Sequence, residues 1–176
     1  MRRCLVLLFA CLCLGAAPGG DGRLVDQNGR PVSAADLNGD WLLVYFGYSA
    51  CPDLCPAALT TVAAVLRRLG AEAAALKPVF VSLDAAHDTP ARLKAYAARF
   101  SPRLVALTGS EAAVADAARS FGVPWRPRAD GPGLDHGTFI YLVAPGGQVA
   151  ETFHPQQATA EIAGRIGARM RAARAR

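Results

Sequence analysis

Cys51 and Cys55 stand four residues apart at the end of an apolar run, in LLVYFGYSACPDLCPAAL over residues 42–59. If the first turn of a following helix includes both, their thiols share one face, about one turn or ~5–6 Å apart. A thiol at a helix N-terminus feels the partial positive charge of unpaired backbone N–H groups. That lowers its pKa and favours the thiolate, the form that attacks disulfides and binds metals. Pro52 and Pro56 suit positions where helical N–H groups lack partners. The pair reads as a reactive or metal-binding dithiol. The plainer alternative, a structural disulfide bond, stabilises little when it closes so short a loop.

The elements that must position this pair follow from periodicity. Trp41–Phe46 is apolar at nearly every position, as expected of a central strand covered on both faces of a mostly parallel sheet. Residues 56–69 then carry Leu59, Val62, Ala63, Leu66 and Leu69 at helical spacing, with Gly70 as the stop. A second strand spans 77–84, and Asp88-Thr89-Pro90 caps a helix that ends near Phe100. Residues 104–108 form a short strand and 110–121 a third amphipathic helix. The stretch 122–135 has three prolines, three glycines and no periodicity, so it reads as a long loop of the kind that is often functional. Residues 138–144 and 148–154 flank Pro145-Gly146-Gly147 as an antiparallel hairpin, and a last helix starts near Thr159. Upstream, Asn28-Gly29 predicts a type I′ hairpin between Leu24-Val25 and Val32.

The chain has 176 residues, 52% of them hydrophobic, enough for one ordinary core. Residues 1–17, MRRCLVLLFACLCLGAA, have the layout of a secretory signal peptide or N-terminal anchor, and 18–22 read as a flexible linker. The domain is expected over 23–170, followed by a basic tail at 171–176. Three of the five cysteines lie in the leader, so the exported part keeps only Cys51 and Cys55, in an oxidising compartment. The formal charge of +5 falls away once Arg2, Arg3 and the five arginines of the last dozen positions are set aside, leaving 12 basic against 14 acidic side chains. No nucleic-acid footprint follows, and the terminal arginines read as a solvated helix face.

A βαβ half, a β-hairpin and a closing helix, with a dithiol at the first strand-to-helix turn, make a thioredoxin-like α/β layout. It has an N-terminal β-hairpin extension and helices on both faces of a central mixed sheet. Within it, YFGYSACPDLCP (45–56), VSLDAAHDTP (81–90) and DHGTFIYLVAPGGQV (135–149) resemble the Sco/SenC family of copper-handling proteins of cytochrome oxidase assembly. The similarity runs from about Arg23 to Ile166. It departs from the family pattern at Ala85 and His87, where a proline and an arginine are usual, and at Gly137, where a serine is usual. The resemblance implies one copper ion bound by Cys51, Cys55 and His136. It also implies delivery of copper to the dinuclear centre of cytochrome c oxidase subunit II or a similar copper-receiving protein, or reduction of that partner's cysteines. Other copper carriers or thiol reductants are further expected partners. The expected setting is the bacterial periplasm, with the protein monomeric and either soluble or tethered to the membrane by its N-terminus.

The donor set agrees with that implication. Thiolates prefer soft ions, so two cysteines suit Cu(I), and an added imidazole makes a three-ligand site that also holds Cu(II). Zinc usually takes a fourth ligand. No proline stands within three residues before the 138–144 strand, so the imidazole of His136 is expected in the space that faces the sulfurs. Asp84, Asp88 and Asp135 are candidate partners for the ring's other N–H, although helix capping explains Asp88 more simply. His87 and His154 read as surface loop residues, and Tyr48, Asp53, Trp125 and Arg126 as a recognition surface. The competing reading is a thiol–disulfide oxidoreductase in which Cys51 attacks and Cys55 resolves, with no need for the histidine. A copper carrier, by contrast, turns no substrate over.

Overall fold

The structure is a computed structural model that describes residues 23–175; the expected leader and linker lie outside these residues. The chain opens with strands β1 (Leu24–Asp26) and β2 (Pro31–Val32), then a single helical turn α1 (Ala34–Leu37) and strand β3 (Trp41–Gly47). Helix α2 (Leu54–Leu69) follows, then a 3-10 stretch, strand β4 (Leu76–Ser82), helix α3 (Pro90–Ala98), strand β5 (Val105–Gly109) and helix α4 (Glu111–Ser120). The C-terminal part holds the short strands β6 (Trp125–Pro127) and β7 (Leu134–His136), the hairpin β8 (Ile140–Val143) and β9 (Val149–Phe153), and helix α5 (Thr159–Arg174).

Seven strands form one mixed sheet in the order β2-β1-β5-β4-β3-β8-β9. β3 lies centrally, parallel to β4 and antiparallel to β8, and all seven of its residues are buried. Alternation along β3 divides the core in two. Leu43 and Tyr45 face the layer of α2, α3 and α5, where Leu59, Phe80, Leu93 and Ile166 pack. Leu42, Val44 and Phe46 face α4, where Val114 and Ala118 pack. Such all-apolar burial is why the strand reads as a continuous run rather than as an alternating one.

Three sequence expectations change. The β1–β2 hairpin forms, but its turn is closed by the Gly29 N–H on the Asp26 carbonyl at 2.9 Å, with Gly29 at φ +78, and no non-glycine residue has positive φ among the described residues. A type I′ turn needs positive φ at both central residues. Here Asp26 takes control of the turn by accepting the N–H groups of Asn28 and Arg30 at 2.8 and 2.9 Å. Second, residues 122–135 are not loop throughout. β6 and β7 pair in an antiparallel ribbon, with Trp125 opposite His136 and Pro127 opposite Leu134. Third, the boundary at 171 disappears: α5 runs on to Arg174, and the terminal arginines lie on a helix face, as expected. Arg171 holds Glu72 at 2.8 Å, and Arg165 and Arg169 both hold Glu151.

Candidate functional site

The site forms where β3 ends. Gly47 is its floor: a Cβ at this position would meet the Cys55 sulfur at 2.7 Å and the Tyr45 ring at 3.1 Å. Only a residue without a side chain lets Cys55 tuck against the end of β3. The sequence marks Gly47 as a break in the strand, and the close approach is the reason for it.

Helix α2 begins at Leu54, so Cys55 lies in its first turn while Cys51 precedes it. The expected sharing of one helical turn by both cysteines does not occur. Cys51 instead turns its sulfur to the helix start and accepts the Cys55 N–H at 3.4 Å. Asp53, at the N-cap position, makes no side-chain cap. A sulfur thus takes the place of a capping oxygen and satisfies a donor that the helix leaves open. Both cysteines are free thiols and both are buried, Cys55 completely.

His136 arrives from the other end of the chain on β7. Its Nε2 lies 3.6 Å from the Cys55 sulfur, and its Nδ1 lies 2.8 Å from the carbonyl oxygen of Gly137. A carbonyl only accepts, so Nδ1 carries a hydrogen, and Nε2 is the ring nitrogen that faces the sulfurs. The rings of Tyr45 and Tyr48 meet the imidazole edge to face at centroid distances of 6.3 and 6.0 Å. Tyr48 also touches the ribbon, since a Cβ on Gly133 would stand 2.6 Å from its hydroxyl.

The two thiols differ electrically. The hydrogen bond from Cys55 draws the Cys51 thiol down to about 3, against the opposing effect of burial, and the neighbouring His136 imidazole adds to the lowering. Cys55 moves far in the other direction, because its proton is the one shared with Cys51 and because it is buried. Burial, reinforced by the neighbouring Cys55, likewise raises Tyr45. Cys51 is the thiolate of the pair, and it opens on a cleft of about 370 Å³ walled by Tyr48, Leu54, Arg128, Leu134 and His136.

The three aspartates expected beside the imidazole are elsewhere. Asp84 lies 2.7 Å from Nδ1 of His87, Asp135 reaches Arg126 at 3.4 Å, and Asp88 is buried beneath the loop that carries the cysteines. The ring's partner is the Gly137 carbonyl, a backbone group that no residue pattern announces. Asp88 is not the helix cap either: Thr89 caps α3 by accepting the Arg92 N–H at 3.3 Å. Of the expected recognition residues, Tyr48 and Asp53 line the cleft with Cys51, while Trp125 and Arg126 line the opposite side of His136.

No group of three or more His, Cys, Asp or Glu side chains among the described residues stands at full metal-ligand spacing. The cluster is held by hydrogen bonds. The separation of Cys55 sulfur and His136 nitrogen is nonetheless close to what an ion needs, because bonds of ~2.3 Å to sulfur and ~2.0 Å to nitrogen, opened to between a tetrahedral and a trigonal angle, separate the two atoms by ~3.5–3.7 Å.

Residues 15–171 match the family model described as SCO1/SenC. The SCO2-like protein of Rickettsia conorii is 34% identical over 149 residues, which is 82% of this chain and 73% of that one. The mitochondrial SCO1 homolog of mouse is 35% identical over 162 residues, covering 87% of this chain and 56% of its own. Among solved structures, Bradyrhizobium japonicum ScoI with copper bound superposes with a TM-score of 0.75 at 36% identity, over 83% of this chain and 95% of that one.

Proposed function

Because this chain belongs to the SCO1/SenC family, we propose that it binds one copper ion through Cys51, Cys55 and His136 and serves cytochrome c oxidase assembly. Its recipient is the dinuclear copper centre of subunit II, which it loads with the ion or whose cysteines it prepares. The observation that supports this reading most directly is the approach of His136 Nε2 to the Cys55 sulfur at 3.6 Å. Two sulfurs and one nitrogen suit copper in either oxidation state. Three donors also leave a position for a recipient's ligand to enter before the donor's leave, and the cleft beside Cys51 gives it a route. We place the protein outside the cytoplasm, on the bacterial periplasmic side of the membrane, from the pattern of residues 1–17.

The test is metal analysis of the reduced protein beside three variants. The parent should retain about one copper per chain after dialysis against a weak chelator. Cys51→Ser and Cys55→Ser should retain none, and His136→Ala should lose most of it. Retention by His136→Ala equal to that of the parent would overturn the three-ligand reading.

A second activity is supported by the low pKa of Cys51. Cys51 thiolate attacks a partner's disulfide to form a mixed disulfide. Cys55 then attacks Cys51, releasing the partner as a dithiol and leaving Cys51 and Cys55 oxidised. His136→Ala should leave this exchange intact while abolishing tight copper binding, so one variant separates the two activities.

A further inference from the structure

Asp88 is 1% exposed, yet its carboxylate neither partners the imidazole nor caps helix α3. A buried carboxylate is costly unless its lone pairs are filled, and here they are. Oδ2 accepts the Ser49 N–H at 2.8 Å and the Ser82 hydroxyl at 2.6 Å, and Oδ1 accepts the Ser49 hydroxyl. Arg92 closes the cluster, its Nε donating to the Ser49 hydroxyl at 2.7 Å and standing 3.4 Å from Asp88 Oδ1. Ser49 lies two residues before Cys51, inside the turn in which the Cys51 N–H reaches the Tyr48 carbonyl at 3.3 Å.

The end of β4, the first turn of α3 and the cysteine turn are therefore joined at one carboxylate. We propose that Asp88, acting through Ser49, is a positioning residue for Cys51. It fixes the turn so that the thiolate faces Cys55 and His136, and Arg92 neutralises the buried charge from the half-exposed side. Asp88 touches neither sulfur nor imidazole; it acts on the backbone and hydroxyl of Ser49. Without this tie the turn between Gly47 and α2 loses its link to Ser82 and Arg92, and Cys51 is freer to swing onto Cys55 and close the disulfide.

This role rests on reading Cys51 and Cys55 as the site, and its test reads the dithiol apart from copper. The variants are Ser49→Ala, which removes the hydroxyl, Asp88→Asn, which removes the charge, and Ser49→Thr, which keeps the hydroxyl. For each, the equilibrium constant for oxidation by glutathione disulfide is measured, one disulfide forming as two glutathiones are released. The dissociation rate of Cu(I) into a chelator is measured in parallel, together with the thermal midpoint. Ser49→Ala and Asp88→Asn should raise the oxidation constant about fivefold or more and should speed copper release about 10- to 100-fold, the usual effect of disturbing groups that hold ligands in place. Ser49→Thr should match the parent in both. An unchanged oxidation constant in Ser49→Ala overturns the proposal, as does an equal shift in Ser49→Thr. Should Asp88→Asn fail to fold, Ser49→Ala decides. If copper binds none of the proteins while the oxidation constant shifts as stated, the positioning role stands and the copper reading fails.

Discussion

The sulfur of Cys55 and the Nε2 of His136 lie 3.6 Å apart although 81 residues separate them in the chain. One partner sits in the first turn of α2 and the other at the end of β7, so their approach depends on β3 and β8 being neighbours in the sheet.

Replacing the imidazole separates what it does for packing from what it does for binding. His136→Ala removes a ring packed edge-on against Tyr45 and Tyr48, which predicts a loss of ~1–2 kcal/mol in the metal-free protein. Copper at a hundred times its dissociation constant should stabilise the parent by ~2.7 kcal/mol. Urea denaturation with and without copper should show that gain in the parent and little of it in the variant.

A methyl group at the floor of the site should be felt by the thiol above it. In Gly47→Ala the new Cβ would stand 2.7 Å from the Cys55 sulfur, so the sulfur or the strand must move. Overpacking of this kind costs ~1–3 kcal/mol. Denaturation midpoints should fall accordingly, and alkylation of Cys55, fully buried in the parent, should become measurable.

The two thiols should respond differently to pH. The Cys51 thiol is drawn down to about 3, far below the ordinary thiol range. A group depressed on folding contributes stability that is complete above its unfolded value and is lost as the pH falls through the folded one. Cys51 thus stabilises fully above about pH 9 and progressively less towards about pH 3. Cys55 is raised, so its contribution is complete below its unfolded value and declines above it. Iodoacetamide labelling mapped by mass spectrometry should show a Cys51 rate that is flat between about pH 5 and 8. An ordinary thiol, with a pKa of ~8.5, would instead gain close to tenfold per unit over most of that range. A steep rise for Cys51 would refute the assignment of the thiolate.

Gly133 offers a test of the ribbon. At φ +111, and with the Tyr48 hydroxyl 2.6 Å from where a Cβ would stand, Gly133→Ala is strained both by its backbone and by its neighbour. The ribbon should lift from Tyr48 and carry His136 with it. Copper affinity should drop by about tenfold or more, while the thermal midpoint changes by only a few degrees, because β6 and β7 contribute few side chains to the core.

Local physics makes much of this legible from the residues alone. The apolar run of β3, the helical spacing of α2, the glycine that ends it and the proline that opens α3 each act within a few positions of themselves. Their elements follow from steric and hydrogen-bonding rules that do not need the rest of the chain. The dithiol is equally plain, since two cysteines at one helix start have few roles.

Other features are decided only by the folded chain. The turn of the first hairpin depends on a carboxylate outcompeting the Asn-Gly preference, and the pairing of β6 with β7 cannot be read from a stretch rich in proline and glycine. Nor does the sequence reveal that a sulfur caps α2, that the Gly137 carbonyl orients the imidazole, or that Asp88 serves Ser49. Each of these is a choice among several available acceptors. Distance in space makes that choice, and residue types only supply the candidates.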